Sequence, residues 1–197
     1  MTGVRADSMV VDTTATLGAG NRWANTYGGA VGYPDLAAND AKGFTYTTTA
    51  LTRPIEVIGH PIVHLWVTSS ARDLDAMVYL EDVDPAGRST YVTEGVLRAS
   101  HRKLVSPPFR NFRLPWPRSN QDDVAPLPLQ PTELTFDLLP TAKRFLTGHR
   151  IRVTVQGADR DTHIEVHPNP PPMVAIYRDA ARPSRIVLPI VPVQRDR

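Results

Sequence analysis

Four aspartates crowd one short stretch of this chain: Asp73, Asp75, Asp82 and Asp84. Carboxylates in pairs, helped by backbone oxygens, can hold a hard cation. Asp73 and Asp75 share one side of an extended segment, and so do Asp82 and Asp84. The residues between the pairs, at about 3.3 Å each, set them more than about 20 Å apart, so the four cannot form one site. Carboxylates that cap turns and solvate strand ends are the commoner occupants of such positions. His163, Glu165 and His167 form a second group, with two imidazoles at i and i+4; lacking a third ligand, they read as a surface loop. The chain has no cysteine, which removes disulfides, thiolate zinc sites and a thiol nucleophile. No metal and no cofactor is expected. Serine, histidine and aspartate are all present, but the G-x-S-x-G elbow of an α/β-hydrolase is missing. A phosphate loop and a dinucleotide fingerprint are missing too. No catalytic residue is therefore assigned.

The elements that position these groups are strands. In residues 74–87 (LDAMVYLEDVDPAG), Leu74, Ala76, Val78 and Leu80 alternate with Asp75, Met77, Tyr79 and Glu81, the period of two expected of a half-buried strand. Asp84-Pro85-Ala86-Gly87 then supplies a fixed φ at Pro85 and a residue free to take positive φ at Gly87, so the chain can reverse into residues 89–93 as a hairpin. Residues 44–48, 55–58, 61–69, 95–101, 132–139, 150–155 and 185–191 are further strand-like runs. In the third of these, Val63, Leu65 and Val67 belong to the core face and His64 to the wetter side. Residues 141–146 read as a short helical turn. Pro189 confines the last run to an edge or a strand end. Residues 1–43 hold many Gly, Asn, Asp and Thr and read as an extended arm or linker outside the core. Residues 44–197 read as the domain. Residues 105–131 form a proline-rich excursion, long enough to suggest a functional or partner-contacting loop.

Composition agrees. There are 19 prolines in 197 residues, about twice the usual share, which disfavours long helices. Hydrophobic residues make up 41% and charged residues 21%, as in a globular chain. Eight to ten short antiparallel strands with long connections fit an all-β fold, a jelly-roll β-sandwich with little helix. No apolar run approaches the roughly 18 residues of a membrane span and the N-terminus lacks a signal-peptide core, so no membrane partner is expected and a cytoplasmic location is the default. Arg98, Arg102, Lys103, Arg110, Arg113 and Arg118 fall close together near Phe109, Phe112 and Trp116, but four interspersed prolines make the segment a packed loop, and no nucleic-acid partner is expected.

SSARDLDAMVYLEDVDPAGRSTYVTEGVLRASHR, then FLTGHRIRVTVQGAD, then YRDAARPSRIVLPIVP resemble, in order and spacing, the C-terminal domain of the X-Pro dipeptidyl-peptidase and cocaine-esterase (CocE/NonD) group of serine hydrolases. The resemblance covers residues 44–192, and VVDTTATLGAG looks like the strand preceding that domain. It implies a sandwich similar to galactose-binding domains, packed in cis or in trans on an α/β-hydrolase domain that cleaves esters or amides. The nucleophile, acid and base of the group lie in that other domain. By the same resemblance, Arg72, Asp73, Leu74, Asp75 and Met77 form a substrate-pocket wall. Where many members continue Ser-Ser-Ser or Ser-Ser-Asn after the GHR strand, this chain has Gln156-Gly157-Ala158-Asp159, which puts carried-over loop contacts in doubt. Gly148 suits a tight turn, and His149 reads as satisfying a backbone carbonyl.

Three functions follow. An accessory domain of a serine hydrolase would be inactive alone. A carbohydrate- or ligand-binding module of galactose-binding-like fold would expose Trp66, Trp116 or Tyr79 on a concave face. A free-standing hydrolase would need an unusual triad. A face normally covered by a partner also makes a homodimer plausible.

Overall fold

A computed structural model describes residues 5–23, 30–163 and 168–192. Its elements are almost all strands: β1 (Ala6–Val10), β2 (Phe44–Thr47), β3 (Ile55–Gly59), β4 (Ile62–Ser69), β5 (Asp75–Val83), β6 (Ser89–Arg98), β7 (Thr132–Asp137), β8 (Thr141–Phe145), β9 (Arg150–Gln156), β10 (Met173–Asp179), β11 (Arg182–Pro183), β12 (Arg185–Val187) and β13 (Ile190–Val191). The one α-helical segment among the described residues is α1 (Ala37–Asp40). Among the described residues no helix is long and apolar enough to cross a membrane.

Every pairing is antiparallel. One sheet runs β1-β10-β4-β12, with β7 on the other edge of β4 and β11 on β10; a second runs β2-β9-β5-β6; a short third runs β13-β3-β8. The first two face each other as a jelly-roll β-sandwich. Val63, Leu65, Val67, Leu134, Phe136, Val174 and Ile176 of the first sheet meet Ala76, Val78, Leu80, Leu97, Ile151 and Val155 of the second in one core. Strand β4 alternates strictly between buried and half-buried positions, with His64 on the half-buried side, its Nδ1 3.2 Å from Glu133 Oε1.

The hairpin β5-β6 forms as its sequence requires. Asp84 Oδ1 accepts the N–H groups of Ala86 and Arg88 at 2.9 and 3.0 Å, and Gly87 takes φ +92°. Three expectations fail. Strand β5 is not half-buried: all nine of its residues are buried. The alternation is real, but the second face, with Met77 and Tyr79, is covered by Leu17 and Leu36 from the supposed arm. That arm is not outside the core. Strand β1 pairs with β10 from Ala6 to Val10, and Val11, Ala15, Leu17 and Leu36 are buried. Residues 141–146 are not helical. Thr141, Lys143 and Phe145 alternate with exposed positions in β8, which pairs with β3 over its whole length. Residues 173–179 form a strand between β1 and β4 that no periodicity argument had marked, and residues 185–191 divide at Leu188-Pro189 into β12 and β13 of two different sheets.

Candidate functional site

The turn between β4 and β5 carries Arg72, Asp73 and Leu74 of the five residues proposed as a pocket wall, with Asp75 and Met77 at the start of β5, and it holds its shape through backbone polar groups. Asp73 Oδ1 accepts the N–H groups of Leu74 and Ser100, at 2.9 and 2.8 Å. Ala99 N–H donates to Leu74 O at 2.7 Å, and Leu127 N–H to Arg72 O at 2.7 Å. The turn is thereby sewn to the end of β6 and to the return of the proline-rich excursion. Only Arg72 and Asp73 of the five reach the surface. Leu74 lies in the main core, Met77 in the second cluster, and Asp75 is buried in a bidentate pair with Arg98, Nε at 2.8 Å and Nη2 at 2.9 Å. Leu74 and Met77 therefore hold the turn in place by entering the two cores that sandwich β5, and Asp75 does so through its pair with Arg98.

The other acidic residues are used structurally. Asp82 is buried between Lys143 Nζ at 2.7 Å and His149 Nδ1 at 2.8 Å. His149 thus meets a carboxylate rather than a backbone carbonyl. Asp84 caps the hairpin turn. His163 Nδ1 lies 2.6 Å from Thr162 Oγ1, while Glu165 and His167 fall outside the described residues. Among the described residues no group of three or more His, Asp or Glu side chains is arranged to hold a metal. Ser119 Oγ approaches His101 Nδ1 at 3.0 Å, and among the described residues no carboxylate orients that imidazole as a triad requires. The three aromatic residues considered for sugar stacking do not share a face. Tyr79 is 1% exposed, Trp66 sits half-buried on β4, and Trp116 belongs to the excursion.

A buried polar layer on the outer face of β5 and β6 has no counterpart in the sequence reading. Register opposes Tyr79 to Glu94 and Glu81 to Tyr91. The arm covers all four. Tyr79 Oη donates to Asp159 Oδ2 at 3.2 Å, Trp23 Nε1 to Glu94 Oε1 at 2.8 Å, and Ser89 Oγ to Glu81 Oε2 at 2.6 Å. Asp40 of α1 accepts from Arg152 Nη1 at 2.6 Å. Burial raises the Glu81 carboxyl to about 8; the Ser89 hydroxyl opposes the shift and the nearby Asp40 carboxylate adds to it. Burial likewise raises Glu94, against the hydrogen bond from Trp23. The departure Gln156-Gly157-Ala158-Asp159 anchors this layer. Gln156 Nε2 donates to Asn39 O at 2.8 Å, Leu17 N–H donates to Asp159 Oδ2 at 3.3 Å, and a Cβ on Gly157 would sit 2.6 Å from Val11 Cγ2. The legible signal was a pair of glutamates at strand positions that alternate with core residues.

The excursion is a finger. Residues 103–118 fold back on themselves through Val105 N–H to Trp116 O and Arg118 N–H to Lys103 O, with Leu104 bridged to Pro117. At its root the buried Asp123 accepts from Arg118 Nε and, at 2.5 Å, from Lys103 Nζ, which hold its carboxyl down at about 2. Leu104, Phe109, Phe112, Trp116, Val124 and Leu129 are all exposed, Phe112 at 77%.

Comparison with known proteins identifies the sandwich. The chain is 47% identical over 191 residues to a candidate serine esterase of Mycobacterium bovis, covering 94% of the chain and 30% of the relative. It is 31% identical over 159 residues to the cocaine esterase of Rhodococcus sp., covering 74% of the chain and 25% of the relative. It thus spans about a third or less of the curated relatives it matches. An aminopeptidase from a marine sediment archaeon of the Thaumarchaeota shares the fold with TM-score 0.71 and 20% identity, over 97% of this chain and 34% of that one. A CocE/NonD family hydrolase of Staphylococcus aureus does so with TM-score 0.68 and 18% identity, over 97% and 34%. With residues 6–187 matching its description, the chain belongs to the family of X-Pro dipeptidyl-peptidase C-terminal non-catalytic domains.

Proposed function

We propose that the chain is the accessory β-sandwich of an ester- or amide-cleaving serine hydrolase, whose catalytic α/β-hydrolase domain it meets through the β4–β5 turn. The observation that carries this reading is the match of residues 6–187 to a non-catalytic domain, in a chain that has no G-x-S-x-G elbow. The turn suits a wall because it is fixed: Asp73 is spent on two backbone N–H groups, and Arg72 stands exposed above a carbonyl already bonded to Leu127. Rigid supports of this kind place substrate contacts to within a fraction of an ångström.

The role divides into two testable parts. The isolated chain should show no labelling by a fluorophosphonate serine probe; labelling would end the non-catalytic reading. The wall is tested with the chain fused in place of the matched region of the M. bovis relative. There Arg72→Ala should change kcat/KM by threefold or more between acetyl and longer acyl p-nitrophenyl esters, and an unchanged acyl profile would remove the turn from the pocket. Alanine at Leu74 or Met77 would instead open cavities in the two cores and report on stability.

A further inference from the structure

The finger at residues 103–118 has three properties that belong together. Its shape is fixed before any partner arrives, by Asp123 gripping Lys103 on one limb and Arg118 on the other, by Pro107, Pro108, Pro115 and Pro117, and by the edge-to-face pair Phe109–Trp116 with ring centroids 5.0 Å apart. Its tip is apolar and aromatic yet exposed. Phe112 and Arg113 take φ +56° and +65°, in a left-handed turn that Asn111 closes by donating to Leu114 O at 2.8 Å, and Arg110 lies 5.4 Å from the Phe112 ring centre. Its charge is of one sign. Residues 103–118 contain Lys103, Arg110, Arg113 and Arg118 and no acid; Asp123 answers two of these cations, and among the described residues no carboxylate is paired with Arg110 or Arg113.

An exposed aromatic and arginine tip on a rigid loop is the composition of an interface anchor rather than of a solvated loop. The location supplies the partner. The finger springs from the same knot as the pocket-wall turn: Ala125 N–H donates to Ser100 O, Ser100 N–H to Asp73, Leu127 N–H to Arg72 O, and Arg102 Nη1 to both Ala99 O and Ala125 O. In the curated relatives about 70–75% of the polypeptide lies outside the matched region, so a large body is joined to a sandwich of this kind and is available to cover such a tip. We infer that the finger is the docking anchor for the hydrolase domain, seating Phe109 and Phe112 in an apolar hollow rimmed by carboxylates that pair with Arg110 and Arg113. The inference rests on the accessory function proposed above and adds its contact surface. Docking the finger would bring Arg72 and Asp73 to the crevice between the two bodies.

The test compares the isolated chain with the fusion to the M. bovis segment, by hydrogen exchange of the finger amides and by activity on p-nitrophenyl acetate. Docking predicts that amides of residues 109–116 exchange tenfold or more slowly in the fusion, at any protein concentration. F112S together with R113E in the fusion should return them to the rate of the isolated chain, whereas I190S, in β13 of the short third sheet, should not. The isolated chain offered in trans to the separate M. bovis segment gives an independent reading, with binding weakened tenfold or more by the same double variant. An active fusion whose finger exchanges as fast as in the isolated chain overturns the docking surface and leaves the accessory function standing. A slowed finger in a folded but inactive fusion keeps the surface and removes the accessory function. Slowing of the finger in the isolated chain that grows with concentration assigns the tip to a second copy, and slowing on adding single-stranded DNA assigns it to nucleic acid; either overturns the proposal.

Discussion

A carboxylate in the middle of a strand that otherwise feeds a core must either find partners or hold its proton, and Glu81 does the second. Its folded value of about 8 lies above the ordinary 4.5, so the folded protein keeps a proton that the unfolded chain releases. Below about pH 4.5 both states are protonated and its contribution to stability is fully present. From there to about pH 8 stability falls as pH rises, by at most about 1.4 kcal/mol per unit. Glu94 acts in the same direction. Glu81→Gln should therefore flatten the decline of urea-unfolding stability between pH 5 and 8 and raise Tm at pH 8; a slope equal to that of the parent chain would contradict the assignment. Asp75 illustrates the opposite solution, a buried carboxylate satisfied by a two-pronged arginine on the neighbouring strand. Arg98 is about a third exposed, so Asp75→Ala should cost about 1–3 kcal/mol rather than the full cost of a buried ion pair, and the loss should appear as a lowered denaturation midpoint with unchanged m-value.

At the scale of elements, the arm and the finger are the two segments whose standing changed between sequence and structure. Residues up to α1 looked like a linker because glycine, asparagine and threonine hide two leucines set far apart. Yet Leu17 and Leu36 are both 0% exposed against Met77 and Tyr79. Replacing either by alanine should cost about 2–5 kcal/mol in chemical denaturation, where a linker residue would cost almost nothing. The finger depends on one side chain. Asp123→Asn should leave the sandwich melting nearly unchanged and accelerate amide exchange through residues 103–118, since the two limbs lose the carboxylate between Lys103 and Arg118. Acid should reproduce this loosening as pH falls from about 4 toward 2, where that carboxylate takes up its proton. If D123N left exchange in the finger unaltered, the grip would be ornamental and its preorganisation would have another source.

For the molecule as a whole, the two large sheets do not fill the space between them completely. A mainly apolar cavity of about 110 Å³ remains, lined by Val63, Leu65, Val78, Val153, Val155 and Ile186, with Tyr46, Arg178, Ser184 and Arg185 also on its wall. An apolar hollow of this size forfeits packing on all its walls. Val78→Ile or Val153→Ile should fill part of it and stabilise the domain by about 0.5–1 kcal/mol, unless the added methyl meets a wall and the sign reverses. Thermal melts of the two single variants and the double decide this; a destabilised double would mean that the sheets cannot give way.

Strand positions, the β5-β6 hairpin and the all-β class were legible because they rest on local rules: a period of two, proline and glycine at a turn, too many prolines for helix. Residues 141–146 and 173–179 were misread for the same reason. Five to seven residues carry too few periods to separate a short strand from a turn, and pairing with β3, or with β1 and β4, decides. Sequence cannot say which side of a strand lies beneath a distant segment, so of the five residues proposed as a pocket wall, Leu74, Asp75 and Met77 are buried. The family was written in the order of its blocks. What only the tertiary structure decided is which polar groups are desolvated, which cations remain unanswered and which aromatic rings stay in water. Those properties depend on chain segments that meet in space across many intervening residues, and no local spacing records them.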